Sequence, residues 1–174
     1  MAEIIIVPAT WRDLAELRQV EQACFADDHW PLLDLIAVLT LPNVVRLKAV
    51  IQSAMVGFVA GDPRPQENTA WIATLGVLPA YRRQGIGLAL LTACENRLTQ
   101  PHLRLCVRMS NWAAIRLYEK AGYSPLEVWP KYYRDGEDAL MMEKTRPIPS
   151  ACWGRPSTNG GTNQRMQRAD RRPR

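Results

Sequence analysis

The chain is 174 residues long, 47% hydrophobic and formally +5 at pH 7. That length fits one domain with an appendage and a real core, and no apolar run approaches the roughly 20 residues of a membrane span. The charge excludes little, because residues 145–174 hold seven arginines and one acid while residues 1–144 hold 15 basic and 16 acidic residues; the basicity belongs to the tail and does not identify the domain's substrate.

The start, Met1-Ala2-Glu3-Ile4, places an acid where a secretory leader wants a basic region, so a cytoplasmic protein is expected. Cys24, Cys94, Cys106 and Cys152 form no C-x-x-C pair, and only His29 and His102 are there to join them. Neither a disulfide framework nor a metal site is expected.

Ile4–Val7 reads as a short β-branched strand closed by Pro8. Thr10 followed by Asp13 has the form of a capping box opening a helix over 11–22, with Leu14, Leu17, Val20 and Glu21 at helical spacing. Asp27-Asp28-His29-Trp30-Pro31 breaks it, and a second helix is expected over Leu32–Leu39, with Asp28 or Trp30 near its start. Val44–Ile51 and Ala54–Ala60 read as a hairpin around Gln52-Ser53, followed by a polar loop at Asp62-Pro63-Arg64-Pro65. Thr69–Val77 is a strand, Ile86–Arg97 a helix and Leu103–Met109 a strand. Ser110 or Asn111 caps a helix running to Ala121, with Gly122 at its C-terminal end. Two strands, Tyr123–Trp129 and Asp138–Lys144, flank a loop holding Tyr132-Tyr133. The order is βααβββ-α-β-α-ββ, a mixed α/β fold with a mostly antiparallel sheet flanked by helices.

The stretch Leu75 to Leu88 is strand, basic glycine turn, helix. Gly85 and Gly87 let a ligand approach the backbone closely. The unpaired N–H groups of the helix's first turn sit at the positive end of its dipole, which suits phosphate or pyrophosphate. A P-loop is excluded because no Gly-Lys-Ser/Thr follows, and a dinucleotide fingerprint because Leu90 holds the third glycine position. What remains, Arg82-x-x-Gly85-x-Gly87 after a strand, resembles the pyrophosphate-binding turn of the GNAT superfamily of acyl-CoA N-acyltransferases.

A second constellation runs from Val107-Arg108 through Ser110-Asn111 and Ala114-Ile115 to Leu117-Tyr118 and Gly122-Tyr123. Asn111 and Tyr118 are seven residues apart, two helical turns, so they share a face. Read alone, Asn111 is a helix cap and Tyr118 a core tyrosine. Together the segment resembles the GNAT pattern V-R-x-S-N-x-x-A-I-x-L-Y. It is most similar to the ribosomal-protein alanine N-acetyltransferases and their protein N-terminal acetyltransferase relatives. Tyr132-Tyr133-x-Asp135-Gly136-Glu137-Asp138-Ala139 and the Glu21-x-x-Cys24-Phe25 segment before Trp30 are similar to that group too.

The resemblance covers roughly residues 3–144. It implies a GNAT domain over 1–144, with 145–174 a disordered basic appendage. It implies acetyl-CoA as co-substrate and no metal. Backbone groups of Leu75, Gly76 and Val77 would bind the pantetheine arm, and the turn from Arg82 and Arg83 through Gln84, Gly85, Ile86, Gly87 and Leu88 would hold the pyrophosphate. Asn111 would contact the acetyl-CoA arm, Tyr118 would protonate the leaving thiolate, and Tyr132 and Tyr133 would line the peptide entrance. The expected acceptor is the α-amine of a protein N-terminus, of a ribosomal protein for instance. A small amine, or acyl-CoA binding without turnover, stands as the alternative. No membrane partner is expected, and the basic tail could attract RNA or the ribosome surface weakly.

One departure stands out. The N-terminal acetyltransferases most like this chain carry Glu, assigned as general base, where this sequence has Cys106. A thiol with a reference pKa of about 8.5 is a poor stand-in. Either the base is dispensable or lies elsewhere, Glu21 being a candidate, or the activity is altered.

Overall fold

The computed structural model describes residues 3–25 and 31–147. Its elements are β1 (Ile5–Pro8), α1 (Leu14–Phe25), α2 (Leu32–Thr40), β2 (Val45–Ile51), β3 (Ala54–Arg64), β4 (Thr69–Val77), α3 (Ile86–Glu95), β5 (His102–Arg108), α4 (Trp112–Lys120), β6 (Ser124–Trp129) and β7 (Ala139–Thr145). The order is the one the sequence implied. Asp28, His29, Trp30, Cys152 and the tail from 148, named above, lie outside the described residues.

The strands form one seven-stranded sheet, β1-β2-β3-β4-β5-β7-β6. Every neighbouring pair is antiparallel except β4 and β5. Helices cover both faces. Leu17 and Val20 of α1 pack with Leu35 of α2 on Phe58 and Ala60 of β3. On the other face Leu90 and Leu91 of α3 and Ile115 and Tyr118 of α4 pack on Val59, Leu103 and Leu105. Alternation along each strand thus feeds two separate cores.

Local chemistry explains most boundaries. Asp13 Oδ2 accepts from the Thr10 backbone N at 2.7 Å, the return half of the capping box. Residues 11–13 form a 3₁₀ turn rather than α-helix, so α1 proper starts at Leu14. Gln52 and Ser53, at φ 48° and 70°, make the two-residue turn whose twist suits a hairpin. The sequence reading broke the chain at Asp62-Pro63-Arg64, but β3 runs through it to Arg64. The β2–β3 ladder ends at Val45–Gly61, so on that side no strand needs the N–H that Pro63 lacks, while on the other Pro63 pairs with Ala70 of β4. Helix α3 ends two residues short of the expected Arg97, where a turn carries the chain on through Asn96 and Arg97.

Candidate active site

The site begins where two strands part. β4 and β5 pair only at Thr69–His102, Ala70–Leu103 and Trp71–Arg104, although β4 continues to Val77 and β5 to Arg108. The register of β4 against β3 slips by one beside this point, with Ala60 opposite Thr74 and Gly61 opposite Ile72, which makes Ala73 a bulge. A bulge bends its strand and strengthens the twist, carrying β4 away from β5. The facing backbone edges beyond Trp71 are left without each other as partners.

The phase of the β3–β4 ladder fixes which groups face this gap. Leu78 N donates to Val56 O at 2.9 Å. Alternation along an antiparallel ladder then turns Gly76 and Thr74 toward β3, and Leu75 and Val77 toward the gap. Of the three residues expected to bind an extended arm, Leu75 and Val77 therefore turn their backbone groups toward the gap. Gly76 is bare for a different reason: a Cβ there would lie 3.2 Å from Phe25 Cε2 and 3.3 Å from Cys24 Sγ at the end of α1. Arg82 Nε donates to Val77 O at 2.9 Å, so this arginine folds back on the strand end.

At the turn, Arg83 has φ 64° and Gly85 φ 82°. Gly85 is the residue before α3 and has open space where a Cβ would go. Ile86, Gly87 and Leu88 form the first turn of α3, whose N–H groups have no intrahelical acceptor. Gln84 is exposed beside them. Gly87 serves packing as well, because a Cβ there would stand 3.0 Å from Leu117 Cδ1 of α4. That close approach sets α4 against the start of α3.

Asn111 caps α4, its Oδ1 accepting from Ala114 N at 3.1 Å. The cap engages the amide oxygen and leaves Nδ2 as the donor at an exposed position. Tyr118, two turns on, is buried, its ring edge-on to Tyr123 with centroids 5.9 Å apart. Burial pushes its phenol up to about 12, so it carries its proton throughout the neutral range. It shares one core cluster with Leu105 and Val107 of β5, with Leu75 and Val77 of β4 packed against that cluster.

Cys106 lies between Leu105 and Val107, so it points to the opposite face, the side of α1 and the β6–β7 loop. Burial raises its thiol to about 12, which makes it neutral at physiological pH. Glu21 of α1 is buried on this side and accepts from Thr74 Oγ1 at 3.0 Å. A row of rings borders the same ground: Trp71 and Trp129 have centroids 6.0 Å apart, Trp129 and Tyr132 5.6 Å, and Tyr132 and Tyr133 5.1 Å. Arg108 stacks 4.1 Å over the Tyr133 ring and donates to Asp135 Oδ2 at 2.8 Å and Glu137 Oε2 at 2.5 Å. Arg104 is engaged by Glu143 at 2.7 Å.

The sequence reading did not single out Trp71 or Trp129. The available signal was the position of Trp71 at the head of the strand leading into the glycine turn. Among the described residues no cluster of three metal-ligating side chains occurs, and no helix is long and apolar enough to cross a membrane. Cys24, Cys94 and Cys106 are free thiols.

The acetyltransferase (GNAT) family model matches residues 11–123. The chain is 33% identical over 148 residues to an uncharacterized N-acetyltransferase of Methanocaldococcus jannaschii, covering 83% of this chain and 93% of that one. It is 31% identical over 148 residues to the N-terminal acetyltransferase A complex catalytic subunit NAA10 of Arabidopsis thaliana, covering 81% and 77%. The fold superposes on the ribosomal-protein-S18-alanine N-acetyltransferase of Escherichia coli with TM-score 0.76 and 27% identity, covering 87% of this chain and 99% of the other. A parted parallel strand pair, a glycine turn opening α3 and a protonated tyrosine on α4 thus sit in a chain that belongs to the GNAT acetyltransferase family and is an N-acetyltransferase.

Proposed function

We propose that this enzyme transfers the acetyl group of acetyl-CoA to the α-amine of a protein N-terminus, with a ribosomal protein as one substrate class. The observation that carries the reading is the gap between β4 and β5, which has Tyr118 in the core on one side and the neutral Cys106 on the other. An extended thioester arm in the gap takes backbone hydrogen bonds from Leu75 and Val77 as an added strand would. Its pyrophosphate rests on the amides from Arg83 through Leu88, and Asn111 Nδ2 steadies the arm. The acceptor enters over Tyr132 and Tyr133.

The chemistry then follows from the two faces. The neutral amine attacks the thioester carbonyl, an N–C bond forms, and the C–S bond breaks. The departing sulfur takes the proton of the Tyr118 hydroxyl, the amine's surplus proton leaves to solvent, and the phenolate takes a proton back from solvent before the next turnover. A backbone N–H of β4 at the gap steadies the oxyanion.

The choice of an α-amine rests on magnitudes. An α-amine with pKa of about 7.7–8.0 is roughly one quarter neutral near pH 7.4. A lysine amine at about 10.4 is neutral about once in a thousand molecules, a handicap of roughly 4 kcal/mol. The protonated Cys106 thiol removes no proton from such an amine, so a site built this way favours N-termini. The names of the Arabidopsis and E. coli proteins point the same way.

The test is thiol release from acetyl-CoA with unblocked peptides, N-terminally blocked lysine peptides and small amines such as polyamines. Turnover confined to unblocked peptides is the expected result. Turnover on the blocked lysine peptides or only on small amines overturns the reading.

A further inference from the structure

Trp71 holds the last β4–β5 pair, opposite Arg104, so it stands where the gap opens. Ile72 beside it belongs to the α3–α4 core, which turns Trp71 to the acceptor face. Trp129 and Tyr132 continue the surface from Trp71 toward Cys106, and Tyr132 is close enough to the thiol to interact with it electrostatically. The β5 cations on this face are committed: Arg104 to Glu143, and Arg108 to Asp135 and Glu137. The Glu21 carboxylate is buried and takes the Thr74 hydroxyl. An acceptor residue entering here meets two indoles, a phenol and a neutral thiol; the Arg64 guanidinium, 5.6 Å from the Trp71 ring centroid, is itself paired with Asp62. The Trp71 Nε1–H is covered and has no acceptor among the described residues. A broken rule of polar satisfaction beside a reaction centre marks a position shaped by function as well as by folding.

From this juxtaposition we infer that Trp71, Trp129 and Tyr132 form the wall that receives the acceptor's first side chain, and that the enzyme selects N-termini beginning with a large apolar residue. The inference rests on the protein N-terminus reading above. Methionine, leucine and phenylalanine cover these rings, and the methionine thioether also gains from the aromatic edges. A methyl or hydroxymethyl side chain reaches little of them. An acidic first residue loses water against the rings while the nearby cations are already paired.

The test compares kcat/KM on unblocked peptides that differ only in the first residue, using the full chain and the variants Trp71→Ala and Tyr132→Ala. The unaltered enzyme should prefer Met, Leu or Phe over Ala, Ser and Asp by about tenfold or more, the scale on which apolar pockets discriminate. Each variant should bring that ratio within about threefold while acetyl-CoA affinity stays unchanged. Tyr132 is 42% exposed, so its truncation tests the wall even if Trp71→Ala fails to fold. A flat ranking, a preference for the small or acidic residues, or a ratio that the Tyr132 variant leaves unchanged overturns the wall but not the N-terminal reading. A sharper large-residue preference in Trp71→Ala overturns it too, since Trp71 would then fill the recess. Turnover of small amines with no peptide turned over overturns both.

Discussion

Tyr118 combines burial with a position on the core side of the gap, and both enter its pH behaviour. Its phenol is pushed up to about 12 by desolvation. In the proposed role of general acid it is therefore fully loaded wherever the proposed α-amine acceptor is neutral. The rate should climb with pH as the amine loses its proton near 7.7–8.0, level off above about pH 9, and show no alkaline fall below pH 10 from loss of the acid. Because the folded pKa lies above the ordinary value of 10.0, the neutral phenol's contribution to stability is complete below pH 10 and is lost as pH rises toward about 12. Tyr118→Phe should lower kcat by about a hundredfold or more with acetyl-CoA affinity intact, the usual range for a positioned acid. A variant within threefold of the parent would remove Tyr118 from the chemistry. Cys106 gives the complementary test. Cys106→Glu places a carboxylate on the acceptor side, but at pH 8 an α-amine is already half neutral, roughly speaking. Its kcat/KM on unblocked peptides should change by less than about threefold. A gain of tenfold or more would show that proton removal limits the unaltered enzyme.

The β6–β7 loop is built as a clamp. Arg108 Nη1 reaches both Asp135 and Glu137, and the other oxygen of Glu137 accepts from Ser110 N at 2.8 Å. Lys131 N donates to Asp138 Oδ1 at 2.8 Å, and Tyr133 N to Glu137 O at 3.1 Å. The Arg108 guanidinium holds the Asp135 carboxyl below its ordinary range, and the Ser110 amide does the same for Glu137. Lowered carboxyl pKa values mean that the clamp is complete above the ordinary carboxylate range and weakens only as pH falls below it. No clamp-linked change is expected between pH 6 and 9. Arg108→Gln should raise the peptide KM by about tenfold while leaving the KM for acetyl-CoA alone, and Arg108→Lys should lie between. Equal changes in both constants would mean that Arg108 supports the whole fold and not the loop. At this scale the sequence was informative. Helical spacing located α1, α3 and α4, apolar β-prone runs between turn residues located β2 to β5, and the glycine turn and Asn111-to-Tyr118 helix are where the residues implied. Missed details had tertiary causes. Whether Pro63 ends β3 depends on where β2 stops, and the bareness of Gly87 depends on Leu117 of a helix that comes later in the chain.

At the scale of the whole molecule, the two features that make the site were not legible in one dimension. The Ala73 bulge needs the β3 register, and the end of the β4–β5 ladder at Trp71–Arg104 needs both strands in place. The aromatic row joins Trp71 to the distant 129–133 stretch for the same reason. The lower limit of the domain also depends on a distant contact. β7 runs to Thr145, one residue beyond the expected 144 limit, and Arg146 N donates to Pro101 O at 2.8 Å. The Arg146 guanidinium donates to the carbonyls of Glu95, Leu98 and Gln100, each at 2.7 Å. These carbonyls close the C-terminal end of α3, where a cation offsets the negative end of the helix dipole. Charged donors to buried carbonyls contribute more than neutral ones, and losing them leaves the acceptors unpaired. Arg146→Ala should therefore lower stability by about 2 kcal/mol, a fall in Tm of roughly 5 °C. Its effect on acetyl transfer at 25 °C should be small, because α3's other end holds the glycine turn. A chain ending at Pro147 should match the full chain in both Tm and turnover on a free peptide, whereas a chain ending at Thr145 should show the Arg146→Ala loss. If the chain ending at Pro147 is the one that loses turnover, residues 148–174 take part in the reaction and are no appendage. If Arg146→Ala leaves Tm unchanged, water replaces the guanidinium at the helix end without cost, and the domain closes at β7.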